Sequence, residues 1–193
     1  VVTVTEIGLH VPLGAYAECY VAIRVRFEDQ PLRYVAYMWT NSDAAMAAGR
    51  EIYGAPKKLA GITLDSSPPN TELMVGTVER PPGHRILTAS ALLTEYLDPK
   101  DIQGEPAVLL KVIPDACGGE PSVAELLRVD SSYEVVVDSD GRGVSYTGIG
   151  SVCYEGRWST DPVHLLPPRH ILGAGYVKMN IFENQITRLH VYE

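Results

Sequence analysis

Apolar residues run along this chain in alternating or β-branched stretches that Gly, Pro, Asn or Asp interrupt. The stretches are Val1 to Leu9, Cys19 to Phe27, Leu32 to Trp39, Leu73 to Glu79, Arg85 to Thr94, Val108 to Ile113, Tyr133 to Val137, Val144 to Val152, Tyr176 to Ile181 and Ile186 to Tyr192. A two-residue period with β-branched side chains marks strands that bury one face. About ten strands with turn residues between them and few helical patterns predict a mainly β (α+β) fold. Its antiparallel sheets pack on themselves or close into a barrel-like core, in preference to a βαβ architecture.

One segment breaks that period. Ser42-Asp43 can cap a helix, and Ala44-Ala-Met-Ala-Ala follows with high helical propensity. The helix should end by Tyr53, because Gly54 suits the left-handed position after a helix and Pro56 both stops it and holds Ala55 extended. Lys57 and Lys58 come next, so a helix stop and a Gly-X-Pro turn fix the backbone that presents them. A shorter helical candidate covers Ser122 to Leu127, and the stretch from Leu165 to Gly173 reads as a loop or a short turn of helix around its Pro pair.

The 193 residues, of which 46% are hydrophobic and 21% charged, suffice for one core, and a single domain over 1–193 is expected. The formal net charge is −8, and no cluster of Lys or Arg exceeds the pair Lys57-Lys58, which argues against nucleic acid as a partner. No stretch approaches the roughly 18 apolar residues of a membrane span, so no membrane partner is expected. Cys19, Cys117 and Cys153 are widely spaced and odd in number, which fits reduced thiols packed as small hydrophobes in a cytoplasmic protein. Val1 to Thr5 reads as a strand already under way, with no leader pattern before it, which suggests that a segment precedes it in the natural protein.

The lysine pair carries the candidate chemistry. A free lysine has a pKa of about 10.4, so almost none of it is the neutral amine that attacks a carbonyl near pH 7. Burial disfavours the ammonium, and so does a like charge close by. The small and apolar neighbours Ile52, Tyr53, Ala55, Leu59 and Ala60 point to a poorly hydrated setting. As a bare dipeptide, two lysines are ordinary surface residues.

The stretch Gly49-Arg-Glu-Ile-Tyr-Gly-Ala-Pro-Lys-Lys-Leu59 resembles the active-lysine motif of the acetoacetate decarboxylase family. Glu6-Ile-Gly-Leu-His10, Gly14-Ala-Tyr-Ala-Glu18, Leu109 to Pro114, Glu120 to Leu127, Pro162-Val-His and His170-Ile-Leu extend the likeness over essentially the whole chain. That family is itself the standing example of a lysine activated by desolvation or an adjacent cation, so this rationale comes with the resemblance. The resemblance implies Lys57 as the imine-forming nucleophile, Lys58 as its neighbouring ammonium, and Glu18 and Glu6 as the two pocket carboxylates. Ala55, Tyr53, His10 and Trp39 are the candidate pocket residues, although Trp39 and Trp158 equally suit a core.

Two departures accompany the likeness. The N-terminal segment that family members usually carry, which contributes an arginine, has no counterpart in these residues. Ala55 also stands where decarboxylases often have an aromatic residue, which should enlarge the pocket. The resemblance implies a homo-oligomer acting on a small keto acid, with no dissociable cofactor because the lysine is the electron sink. The first reading is a decarboxylase of a β-keto acid. An imine-forming aldolase or dehydratase of a larger keto acid is the second, and a catalytically idle small-molecule binder the third. The five histidines show no HExxH spacing, so no metal is expected.

Overall fold

The computed structural model describes residues 1–10, 13–65, 72–102 and 104–192, leaving out the side chains of Leu9, His10 and Glu183. Among these residues there are twelve strands and one α-helix, in two curled sheets. The seven-stranded sheet holds β1 (Val2–His10), β2 (Gly14–Phe27), β3 (Gln30–Thr40), β8 (Ala107–Ile113), β9 (Val123–Val135) and β12 (Met179–Val191), with β4 (Lys57–Leu59) attached to β3. The five-stranded sheet runs β11 (Ala174–Val177), β10 (Ser145–Tyr154), β7 (Arg85–Tyr96), β6 (Leu73–Glu79) and β5 (Gly61–Asp65).

The expected alternation decides which face is buried. Ala17, Cys19 and Val21 of β2 are buried, while Tyr16, Glu18 and Tyr20 between them point the other way. Cys19, Val21 and Trp39 pack with Val78, Ile86, Leu87 and Val163 in a cluster that joins the two sheets. At Gly76 of β6 the sheets come so close that an added Cβ would lie 2.9 Å from Val4 of β1. A smaller cluster of Val35, Ala55 and Leu109 lies beneath the helix end.

Helix α1 (Asp43–Tyr53) has the limits its sequence predicts. Ser42 is extended, and its hydroxyl accepts from the Ala45 amide at 3.2 Å. Gly54 sits at φ +72, and its amide donates to the Arg50 carbonyl.

Two expectations need correction, and one pairing detail qualifies the expected antiparallel sheets, which otherwise stand. The residues read as a second helix, Ser122 to Leu127, instead open β9, which also contains most of the stretch read as a separate strand from Tyr133. Local helix propensity loses because β9 bonds to β8 on one side, from Ala107↔Val129 to Ile113↔Val123, and to β12 on the other. The sheets are also not wholly antiparallel: β3 pairs in parallel with both β4 and β8. The chain leaves β3, forms α1 and returns as β4, a short crossover of the kind parallel pairing requires. Finally, Cys19 is buried as expected, but Cys117 and Cys153 are exposed; all three are free thiols.

Gly54 tests the helix stop. An alanine there would hold a left-handed backbone, at a cost of about 1–2 kcal/mol, and its Cβ would lie 2.4 Å from the Lys111 Cα of β8. From the backbone cost alone Gly54→Ala should lower Tm by roughly 2–8 °C, with the clash adding to the loss, measured by thermal unfolding under circular dichroism.

Candidate active site

The site begins with the pairing of β3 and β4. Met38 lies beside Lys57 and Trp39 beside Lys58 in the parallel ladder, while Tyr20 faces Met38 and Cys19 faces Trp39 across β2. Adjacent strand residues point to opposite faces. Tyr20, Met38 and Lys57 therefore form one row beneath α1, and Cys19, Trp39 and Lys58 form another on the core face.

Lys57 is only 8% exposed. Its stem passes over Gly49 of α1, where an added Cβ would lie 2.7 Å from Cδ and 2.9 Å from Cε. The bare backbone at Gly49 is the channel that admits the side chain. Nζ donates to Oε2 of Glu18 at 2.9 Å and stands over the Tyr16 ring, 5.3 Å from its centroid. Tyr16 and Glu18 are two apart on β2 and share a face. Burial, together with the Glu18 charge and Tyr53, pushes the Tyr16 phenol up to about 12, which keeps it protonated. Burial also pushes the Cys19 thiol up to about 12, with Glu18 adding to the effect, so the buried thiol beside the site is not a thiolate.

Lys58 reaches a different partner. Its Nζ donates to Oδ1 of Asp161 at 3.1 Å and to the Thr160 carbonyl. Asp161 is 1% exposed and also accepts from Trp39 Nε1 at 2.9 Å, Arg80 Nε at 3.0 Å and Thr160 Oγ1 at 2.9 Å. Burial works to raise its carboxyl, but the Trp39, Lys58 and Thr160 donors and the Lys58 charge outweigh burial and hold it below the usual carboxylate range. Arg80 further donates to the Leu59 carbonyl at 2.6 Å, tying the end of β4 to the second sheet.

The structure thus brings together Lys57 and Glu18, with Tyr53 near Tyr16 and with Ala55 in the small cluster that Met38 and Tyr20 also join. It does not bring Lys58 beside the Lys57 ammonium. It does not bring Glu6 there either: Glu6 pairs with Ala17, on the face opposite Glu18, and is exposed where its charge helps to raise Tyr176 after burial. Trp39 is fully buried in the core, stacked on Tyr37, and does not line the Lys57 face. His10 ends β1, and its side chain lies outside those described.

Sequence reasoning missed Tyr16, Gly49 and the Asp161–Arg80 network. Tyr16 carried a usable signal, two residues before Glu18 in a strand. Asp161 carried none, because its partners come from three distant segments.

Among the described residues no three His, Cys, Asp or Glu side chains gather as a metal site, and no helix is long and apolar enough to cross a membrane. An open cleft of about 650 Å³ at Tyr96, Lys100, Tyr133 and Arg142 contains none of the residues around Lys57.

The family model for acetoacetate decarboxylase matches residues 1–192. The chain belongs to that family. The acetoacetate decarboxylase of Acidiphilium cryptum (strain JF-5) is 31% identical over 170 residues, covering 85% of this chain and 64% of that relative's length. A solved structure from a structural study of acetoacetate decarboxylase superposes with a TM-score of 0.84 at 25% identity, over 98% of this chain and 74% of the other. The family's fold extends to MppR, an enduracididine biosynthesis enzyme solved with the condensation product of pyruvate and imidazole 4-carboxaldehyde. That structure has a TM-score of 0.69 at 17% identity, over 90% of this chain and 66% of MppR.

Asp161 is the part of this network whose removal reads out in stability. Asp161→Asn leaves Lys58 and Arg80 without their counter-charge. Breaking a fully buried pair costs about 3–5 kcal/mol, and partial solvent access of both cations brings the expected loss to about 2 kcal/mol. Because the folded carboxyl is held low, its contribution is complete above the unfolded value of about 3.9 and disappears as pH falls through the lower folded value. Urea unfolding of both proteins should show a constant gap from pH 8 to 5 that narrows below pH 4.

Proposed function

We propose that Lys57 forms an imine with a β-keto acid and that this family member acts as a decarboxylase of the acetoacetate type. The observation that supports this most is an almost wholly buried lysine whose only ion-pair partner among the described residues is Glu18, at 2.9 Å. Lysine is rarely buried without a reason in pairing or function. With Lys58 engaged by Asp161 on the opposite face, Lys57 is set apart by its burial and its pairing with Glu18, and not by an adjacent ammonium.

The sequence of steps uses these groups. Glu18 accepts the Lys57 ammonium proton, and the neutral amine adds to the ketone carbon. Glu18 returns that proton to the carbinolamine hydroxyl, which leaves as water and gives an iminium. The bond to the carboxylate then breaks, its electron pair moves toward the iminium nitrogen, and carbon dioxide leaves an enamine. Glu18, reprotonated from solvent, gives a proton to the enamine carbon, and water hydrolyses the resulting iminium to release the ketone and restore the Lys57 ammonium. Glu6, on the other face, takes no part. In this reading residues 1–193 work as one domain within a cytoplasmic homo-oligomer and require no dissociable cofactor.

A second reading rests on Ala55, which leaves a methyl group where decarboxylases often have a ring, and on the fold shared with MppR. The same iminium supports aldol addition or dehydration of a larger keto acid, since each proceeds through an enamine.

Borohydride reduction with acetoacetate, pyruvate or a longer keto acid, followed by intact-mass and peptide analysis, tests both. The expected result is an adduct on Lys57 alone, absent in Lys57→Ala. Loss of the mass of carbon dioxide from the adduct indicates decarboxylation; retention of the carboxyl selects the second reading. No adduct with any ketone would reject the imine and favour a binding role. Glu18→Gln should lower kcat about 100-fold while the fold survives, checked by steady-state assay and circular dichroism.

A further inference from the structure

The Lys57 nitrogen is confined by three things: the Glu18 carboxylate, the bare helix at Gly49 and the face of the Tyr16 ring. The first is a proton partner and the second a slot. The third has no assigned part in the imine chemistry. A cation within about 6 Å of an aromatic centroid is attracted by the ring's negative face, and the attraction grows when water is excluded. At 5.3 Å, over a half-buried ring and beside a lysine stem that is almost fully covered, both conditions are met.

We infer that Tyr16 is a positioning residue for Lys57, whose ring face, and not its hydroxyl, holds the cationic forms of the Lys57 nitrogen over the pocket. The two cationic forms are the resting ammonium and the iminium. The neutral amine and the enamine gain nothing from the ring. Tyr16 therefore opposes release of the first proton and equally favours the iminium over the neutral amine, so the balance between resting ammonium and iminium is left unchanged. The phenol is suited to that place because it stays uncharged there. An ionised residue of either sign would compete with Glu18 or repel the nitrogen. This inference rests on the imine reading for its second half only, since the ammonium stands over the ring whatever the substrate.

Two measurements separate the ring's effect from simple space-filling. The first is the rate at which acetic anhydride acylates Lys57 at pH 7.5, followed by peptide mass spectrometry; it reports the neutral amine. The second is the fraction of Lys57 trapped by borohydride at a fixed ketone concentration, which reports the iminium. In Tyr16→Met, acylation should rise about fivefold, as expected for losing a partly desolvated cation–π contact, while the trapped fraction stays within about twofold of the parent because the ammonium and the iminium lose the contact alike. Tyr16→Phe keeps the ring and should restore acylation to within about twofold of the original, with trapping unchanged in both variants. A more open pocket would raise both readings and a displaced lysine would lower both; either result overturns the inference. So does a Phe variant that acylates like Met, or a Met variant that acylates like the parent. Where the parent protein traps no ketone, the imine reading fails on its own. The acylation rates then decide: faster in Met and restored in Phe supports the ring, and any other pattern overturns it.

Discussion

The backbone hydrogen bonds that join Lys57–Leu59 to the C-terminal end of β3 determine the layout of this site before any side chain is considered. Once the two lysines lie in a strand, they must project to opposite sides of the sheet. One enters the space beneath α1, and the other meets the core between the sheets. Each then requires a counter-charge, because burying an ammonium alone is far more costly than burying a paired one. Glu18 on β2 serves Lys57 and Asp161 serves Lys58, and the two carboxylates differ in character. Asp161 accepts from four side chains and is wholly covered. Glu18 has one ionic partner among the described residues and lies in the more accessible layer.

That difference in partners separates anchoring from reaction. The Asp161 network ties Trp39 of β3, Lys58 of β4, Arg80 beyond β6 and the Thr160 segment to one buried charge, so β4 is held by the sheet, by Asp161 and by the Arg80 bond to Leu59. Such a network is stabilising as a unit and costly to break at one member. On the opposite face the Lys57 nitrogen meets few groups, and these can exchange a proton or face a change of charge. A rigid strand therefore carries the proposed nucleophile on one side while its neighbour is immobilised on the other.

Much of this was readable from the residues. The period-two runs located most strands, and Ser42, Gly54 and Pro56 set the limits of α1 because capping is local chemistry. The resemblance supplied Lys57 and Glu18. The three-residue strand β4 was not readable, since a Lys-Lys-Leu segment has no alternation to detect and its parallel partner lies across a helix. Assigning Glu6 and Glu18 to one pocket failed for a related reason: the register of β1 on β2 sets Glu6 opposite Ala17, and a one-residue change in register would reverse its face. Lys58 was set beside Lys57 for the same cause, since motif adjacency takes no account of pleat. The Val123 to Leu127 segment shows the converse, where sound helical propensity yields to bonding on both edges.

Gly49 is where local preference and the site disagree most clearly. A glycine in a helix interior costs about 1 kcal/mol relative to alanine, and α1 is otherwise rich in alanine, so helix stability alone favours alanine at this position. An alanine Cβ would occupy the path of the Lys57 stem, within 2.7 Å of Cδ. The conflict resolves in favour of the lysine: the helix gives up part of its stability so that a charged side chain can thread beneath it to Glu18 and Tyr16. Local choices that oppose the stability of their own element concentrate at functional positions. Here the opposition falls on the residue that touches the proposed nucleophile, in a helix whose two caps otherwise follow the rules of helix stability.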